Sequence, residues 1–233
     1  MVTHPSRTNP ISGLGGKLPP ISVEQARQYY QEADPAHDFD HILRVLALAE
    51  RIGAAEGADM EIVRPAVLLH DIGRPEEQRE GLCHAQAGAE KARAILDDWP
   101  LEQVEAIAHA IAAHRYRDDE APRTLEARVL FDADKLDSIG AVGIARAYVV
   151  GGLHGQRLCA EVDAQYVHDL VQDKSLARQN ESFSHTPVHE FAFKLSRIKD
   201  ILFTTTARTI AEERHRFMSE FFVRLEREVR GEL

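Results

Sequence analysis

The stretch Val67-Leu68-Leu69-His70-Asp71-Ile72-Gly73-Arg74 places the strongest constraint on how this chain folds. A run of apolar residues ends in an adjacent imidazole and carboxylate. Such a run belongs in a core, and a carboxylate buried there is costly unless it is paired or bound to a metal. The run reads as a buried helix carrying two metal-capable side chains at its last turn. Gly73 reads as the stop, because glycine takes the left-handed cap conformation without steric cost. Neighbouring helical residues are about 100° apart, so His70 and Asp71 converge on one ion only if it sits beside the helix end.

Other segments bring ionisable groups on apolar helices. From His37 to Ala55 the apolar positions Ile42, Val45, Leu46, Leu48, Ala49 and Ile52 have helical spacing, with His41 in the first turn. Asp59 can cap the helix that runs into His70. An Ala-rich helix over Cys83–Asp97 has His84 near its start. The helix opened by Pro100 carries His109 and His114 on or just beyond a stripe of Val104, Ile107, Ala108 and Ile111. The run Phe131-Asp132-Ala133-Asp134-Lys135-Leu136-Asp137 is again apolar with acids, and Gly140 and Gly143 follow.

A first helix is expected from Val23 to Ala33, broken by Asp34-Pro35. Two more are expected at 188–203 and 205–230, the latter with Ile210, Phe217, Phe221, Phe222 and Leu225 at largely helical spacing. Nothing alternates as a strand would, so the expected class is all-α. Residues 1–20 read as a flexible tail and 21–233 as one domain. The polar stretch 151–186, with a short helix near 162–173, reads as a cap or loop inserted in it.

Composition removes several function classes. The net charge is −10, which disfavours nucleic acid or an anionic membrane as the main partner. It leaves room for a phosphorylated small molecule held by a local basic pocket or a metal. No apolar run approaches the roughly 20 residues of a membrane span, and no signal peptide is evident. Two cysteines, Cys83 and Cys159, make neither a disulfide framework nor a zinc-thiolate site. The expected location is the cytoplasm. Twelve histidines are many for 233 residues.

Four candidate metal ligands stand out: His41, His70, Asp71 and Asp134. They come from three separate apolar helices, as in a metal site built in a bundle core. This mixed nitrogen and oxygen set suits one divalent Mn, Fe, Co, Ni or Zn ion better than calcium.

The order His41 … His70-Asp71 … Asp134 resembles the H…HD…D signature of the HD-domain metal-dependent phosphohydrolases. The stretch from His37 through Asp40-His41 to Val45 is similar to that family's opening motif. Leu68 to Gly73 is similar to its doublet, and Asp132 to Gly140 to its closing aspartate motif. Glu212-Glu213-Arg214-His215-Arg216-Phe217 resembles one branch of small bacterial members. The resemblance implies a helical bundle around a central metal and hydrolysis of phosphate esters or anhydrides, most readily those of a nucleotide. In Asp132-Ala133-Asp134 the family's A-D-[KR]-L pattern selects Asp134 as ligand and leaves Asp132 as runner-up.

Further roles are assigned on that basis. Asp71 or Asp137 is expected to take the proton of an attacking water, and Asp137 to orient a ligand. Arg44, Lys135 and Arg74 lie in or beside the motifs as candidate phosphate-binding cations, with Lys194 and Lys199 more remote. His84 and His114, or His109 as an alternative, are expected near the substrate or at a second metal. The paired histidines of many dinuclear members are absent, Ala113-His114 standing there, so one metal is favoured. His154, His168, His185 and His189 are read as surface residues. Two other functions stay open: a di-iron oxygenase of the same superfamily and a non-catalytic metal- or nucleotide-binding regulatory module. The apolar face of the C-terminal helix packs on the bundle or on a second subunit, the latter giving a homodimer.

Overall fold

The computed structural model describes residues 21–30, 39–115, 121–172 and 185–233. The expected tail at 1–20, the residues His37 and Asp38, and positions 173–184 of the expected insert lie outside the described residues. The described chain is helical without strands. In order come α1 (Val23–Arg27), α2 (Phe39–Glu56), α3 (Met60–Leu69), α4 (Arg74–Glu80), α5 (His84–Ile95) and α6 (Leu101–Ala113). They are followed by α7 (Leu125–Asp137), α8 (Gly140–Leu153), α9 (Ala164–Gln172), α10 (Pro187–Phe193), a 3-10 turn (Leu195–Ile201) and α11 (Thr205–Val229).

Short polar caps set where these helices begin. Ser22 and Gln25 form a reciprocal capping box at the start of α1. Asp59 accepts from the Glu61 amide at α3, and Thr124 and Thr204 cap α7 and α11 in the same manner. The apolar stripes then meet. Ile52 of α2, Leu69 of α3, Ile107 and Ile111 of α6, and Leu130, Phe131 and Leu136 of α7 are all buried in one cluster. Burying each such side chain contributes about 1.5–3 kcal/mol. α5 packs on α6, and α11 lies across α2, α7 and α8. This arrangement brings the first turn of α2, the ends of α3 and α6, the start of α5 and the last turns of α7 together.

Several expectations need correction. Gly73 is not in the left-handed region; its φ is −87°. It is glycine because α5 passes so close: a Cβ there would stand 2.2 Å from the His84 carbonyl oxygen and 2.6 Å from the Gly88 amide nitrogen. α4 and α8 arise where no helix is expected. α4 buries no residue and so has no apolar stripe. α8 contains Gly143, where a Cβ would stand 2.2 Å from the Ser138 carbonyl oxygen. It runs into the expected insert as far as Leu153. The helix expected at 188–203 is broken at Lys194, where the backbone leaves the helical region.

His185 and His189 are not surface residues. Both are buried and their rings stack at 5.6 Å. Tyr166 meets His185 Nδ1 at 3.2 Å, and Thr186 meets His189 Nδ1 at 2.9 Å. His154 and His168 are exposed.

Candidate metal centre

α3 tightens as it ends. The Ile72 amide donates to the Leu69 carbonyl, three residues back, and His70 to Val67 likewise. Asp71 therefore leaves the regular helix, and both members of the doublet face the same space. His70 and Asp71 are fully buried or nearly so.

The Asp71 carboxylate stands between two sets of imidazoles. Its Oδ2 lies 3.8 Å from His41 Nε2 and 3.7 Å from His70 Nε2. Its Oδ1 lies 3.5 Å from His84 Nε2 and 3.6 Å from His114 Nε2. His41, His70 and Asp71 form one group whose donor atoms lie within 4.8 Å of one another, and Asp71, His84 and His114 form another.

Each imidazole is turned by a contact at its other nitrogen. Nδ1 of His70 meets the Val67 carbonyl at 2.7 Å, and Nδ1 of His114 meets the Ile111 carbonyl at 2.6 Å. Nδ1 of His41 meets Asp137 Oδ2 at 2.8 Å, and Nδ1 of His84 meets Glu77 Oε2 at 2.6 Å. All four partners accept only, so Nδ1 carries the hydrogen and Nε2 keeps its lone pair. His70 Nε2 and Asp71 Oδ1 are buried without a hydrogen bond among the described residues. Converging lone pairs, a carboxylate among them and buried atoms without hydrogen bonds are what a divalent cation satisfies. The residues fit a metal.

The electrostatics agree. Burial pushes the Asp71 carboxyl up, but its interactions with His70 and the Arg74 guanidinium outweigh it and hold it well below the usual carboxylate range. Burial brings His70 down to about 4. Burial, with His114 second, brings His84 down to about 3. His70 and His84 are thereby neutral and Asp71 is ionised, which is the state that binds metal.

The remaining expected residues take distinct places. Asp134 sits at the margin, with Oδ1 3.5 Å from His41 Nε2 and Oδ2 accepting from Lys135 Nζ at 2.6 Å. Asp132 turns away and accepts from the Phe203 and Thr204 amides and the Thr204 hydroxyl. Asp137 holds His41 and receives the Arg44 guanidinium at 2.8 Å. Arg74 donates to Asp71 Oδ2 at 2.6 Å. His109 is not brought into the centre; its Nε2 accepts from the Arg123 amide. Lys194 and Lys199 pair with Glu190 and Glu212 instead.

Three residues were not foreseen. Arg146 of α8 donates to Asp137 Oδ2 at 2.9 Å. Glu77 of α4 orients His84 and also receives Arg115. Their sequence signal is weak, since α4 and α8 show no readable stripe. Only the placement of an acid one turn before a glycine and two turns before a histidine hints at Glu77.

The HD domain family matches residues 38–139. Over 220 residues the chain is 32% identical to the uncharacterized protein YpgQ of Bacillus subtilis, covering 90% of this chain and 94% of that one. The crystal structure of Bacillus subtilis YpgQ in complex with ADP is similar, with a TM-score of 0.66 at 31% identity. That match covers 89% of this chain and 98% of the YpgQ chain. A predicted HD superfamily hydrolase from an uncultured Thermotogales bacterium matches with a TM-score of 0.60 at 30% identity, over 88% of this chain and 90% of that one.

Proposed function

The chain belongs to the HD-domain hydrolase superfamily, and from that premise we propose that it is a metal-dependent phosphohydrolase acting on a nucleotide. The observation that carries this reading is the Asp71 carboxylate set among four Nε2 lone pairs. His41, His70, Asp71 and Asp134 would hold a divalent ion, which when bound would supply a water of lowered pKa and polarise a phosphoryl oxygen. His84 and His114 offer donors for a second ion or for the substrate.

The protein's own groups provide the rest. Arg74, Arg44, Arg146, Lys135 and Arg115 surround the centre, each on a carboxylate of the site. Such cations suit phosphate oxygens, and guanidinium groups do so with two parallel hydrogen bonds. Asp71, with Oδ1 lacking a hydrogen bond among the described residues, is placed to take a proton from an attacking water. Asp137 is engaged by three donors and acts by holding His41. The nucleotide is supported by the ADP in the YpgQ structure.

The test is hydrolysis by metal-stripped protein re-supplied with Mn²⁺, Co²⁺, Ni²⁺, Mg²⁺ or Zn²⁺. Nucleoside mono-, di- and triphosphates serve as substrates, and Asp71→Ala as control. Metal-dependent release of phosphate or pyrophosphate, lost in the control, is expected. Binding without turnover would point to a regulatory module, and activity retained in Asp71→Ala would overturn the assignment.

A further inference from the structure

The turn after α1 reaches the metal doublet through one side chain. Tyr30, in the turn after α1, donates its hydroxyl to the Leu68 carbonyl at 3.0 Å. Leu68 lies two residues before His70. In a regular helix its carbonyl would accept from Ile72, but the tightened turn sends that amide to Leu69 instead. The phenol replaces the missing donor at the point where the chain leaves α3. Asp71 is felt at the same oxygen. Burial first, and the Asp71 charge second, raise the phenol well above its ordinary value, while a backbone hydrogen bond from Asp71 opposes them.

The ring packs where a small second cluster meets the edge of the main core. Ala26, Phe39, Ile42 and Leu68 are buried together, with Ile21, Val23, Tyr30, Leu43 and Leu46 against them. Tyr30 and Phe39 stand 5.4 Å apart, and the Arg27 guanidinium lies 4.1 Å over the Phe39 ring. One cluster thus joins α1, the start of α2 that carries His41, and the end of α3 that carries His70 and Asp71.

We propose that Tyr30 is a positioning residue for the metal centre, its hydroxyl holding the tightened end of α3 so that the His70-Asp71 doublet faces the site. The inference rests on the metal-dependent reading above. Tyr30 touches neither metal nor substrate; it acts through the α3 backbone.

The experiment measures Mn²⁺ binding to the full chain by electron paramagnetic resonance of free Mn²⁺, alongside thermal unfolding of the metal-free protein. Tyr30→Phe keeps the ring and removes the hydroxyl. Phe39→Leu loosens the same cluster and keeps the hydroxyl. Tyr30→Phe is expected to weaken Mn²⁺ affinity by about tenfold, the lower end for residues that orient ligands, and to lower kcat more than it changes KM. Phe39→Leu is expected to lower the melting temperature more and metal affinity less. Unchanged Mn²⁺ affinity in Tyr30→Phe, or losses in both variants that simply follow stability, would overturn the inference. Wild-type protein that binds no metal would overturn the proposed function, and this inference with it.

Discussion

His84 and His114 bring their Nε2 atoms to within 3.2 Å of each other, while Nδ1 of each is held by an acceptor. Two lone pairs that face one another need a cation between or beside them. A proton is disfavoured, since burial and the neighbouring imidazole take His84 down to about 3. With Asp71 Oδ1 at 3.5 Å and 3.6 Å from the two nitrogens, the pair makes a second donor group. We expect two equivalents of Mn²⁺ per chain at saturation and one in His84→Ala. A single equivalent in the wild type, measured by elemental analysis after dialysis, would assign the pair to substrate instead.

Acid should destabilise the metal-free protein in a defined window. Burial, reinforced by neighbouring imidazoles and opposed by Asp71, lowers His70 from 6.5 to about 4. Between those values the unfolded chain binds a proton that the folded chain does not. The contribution is therefore fully present above pH 6.5 and is lost as pH falls from 6.5 toward 4. For His70 it amounts to about 3 kcal/mol. His84, lowered to about 3, acts in the same direction. Urea unfolding of chelator-treated protein at pH 7.5 and 4.5 should show a lower midpoint at 4.5. His70→Gln should reduce that difference, and an equal difference in this variant would refute the assignment.

Asp137 is the hinge between the ligand His41 and two guanidinium groups. It accepts from His41 Nδ1 at 2.8 Å, Arg44 Nε at 2.8 Å and Arg146 at 2.9 Å. Loss of such a partner typically weakens metal affinity by about 10–100-fold. Asp137→Asn should fall in that range by isothermal titration. Arg146→Ala should lose less, because Arg44 still holds the carboxylate. The reverse order would mean that Arg146 acts on the ligand directly.

The parts of this centre that the sequence displays are those on strongly periodic helices. His41, His70 and Asp71 each begin or end an apolar stripe, so burial and polarity clash visibly there. Gly73 shows the limit: a glycine after a helix reads as a cap, and only the approach of α5 shows that the missing Cβ matters for packing. Glu77 and Arg146 lie on helices without a stripe, and their partners are 7 and 9 residues away across turns. His185 and His189 are buried by Tyr166 and Phe193 in a polar stretch with no period to mark it. The all-α class needed only periodicity, whereas these contacts depend on how turns close.

The two aspartates around Ala133 give the sharpest contrast. Asp132 is fully buried and accepts from the Phe203 amide at 2.9 Å and from the Thr204 amide and hydroxyl, each at 2.7 Å. It thereby ties α7 to the start of α11. Asp134, on the other side of the helix, faces His41. An amide at position 132 loses charge-assisted bonds and sets an NH₂ against donors, at a cost of about 2 kcal/mol. Asp132→Asn should therefore unfold at lower urea with Mn²⁺ affinity retained. Asp134→Asn should bind Mn²⁺ more weakly with the unfolding midpoint of the metal-free protein little changed, since its carboxylate is partly exposed and its pair with Lys135 is local. If Asp132→Asn lost metal and kept its midpoint, the assignment of ligand to Asp134 would be reversed.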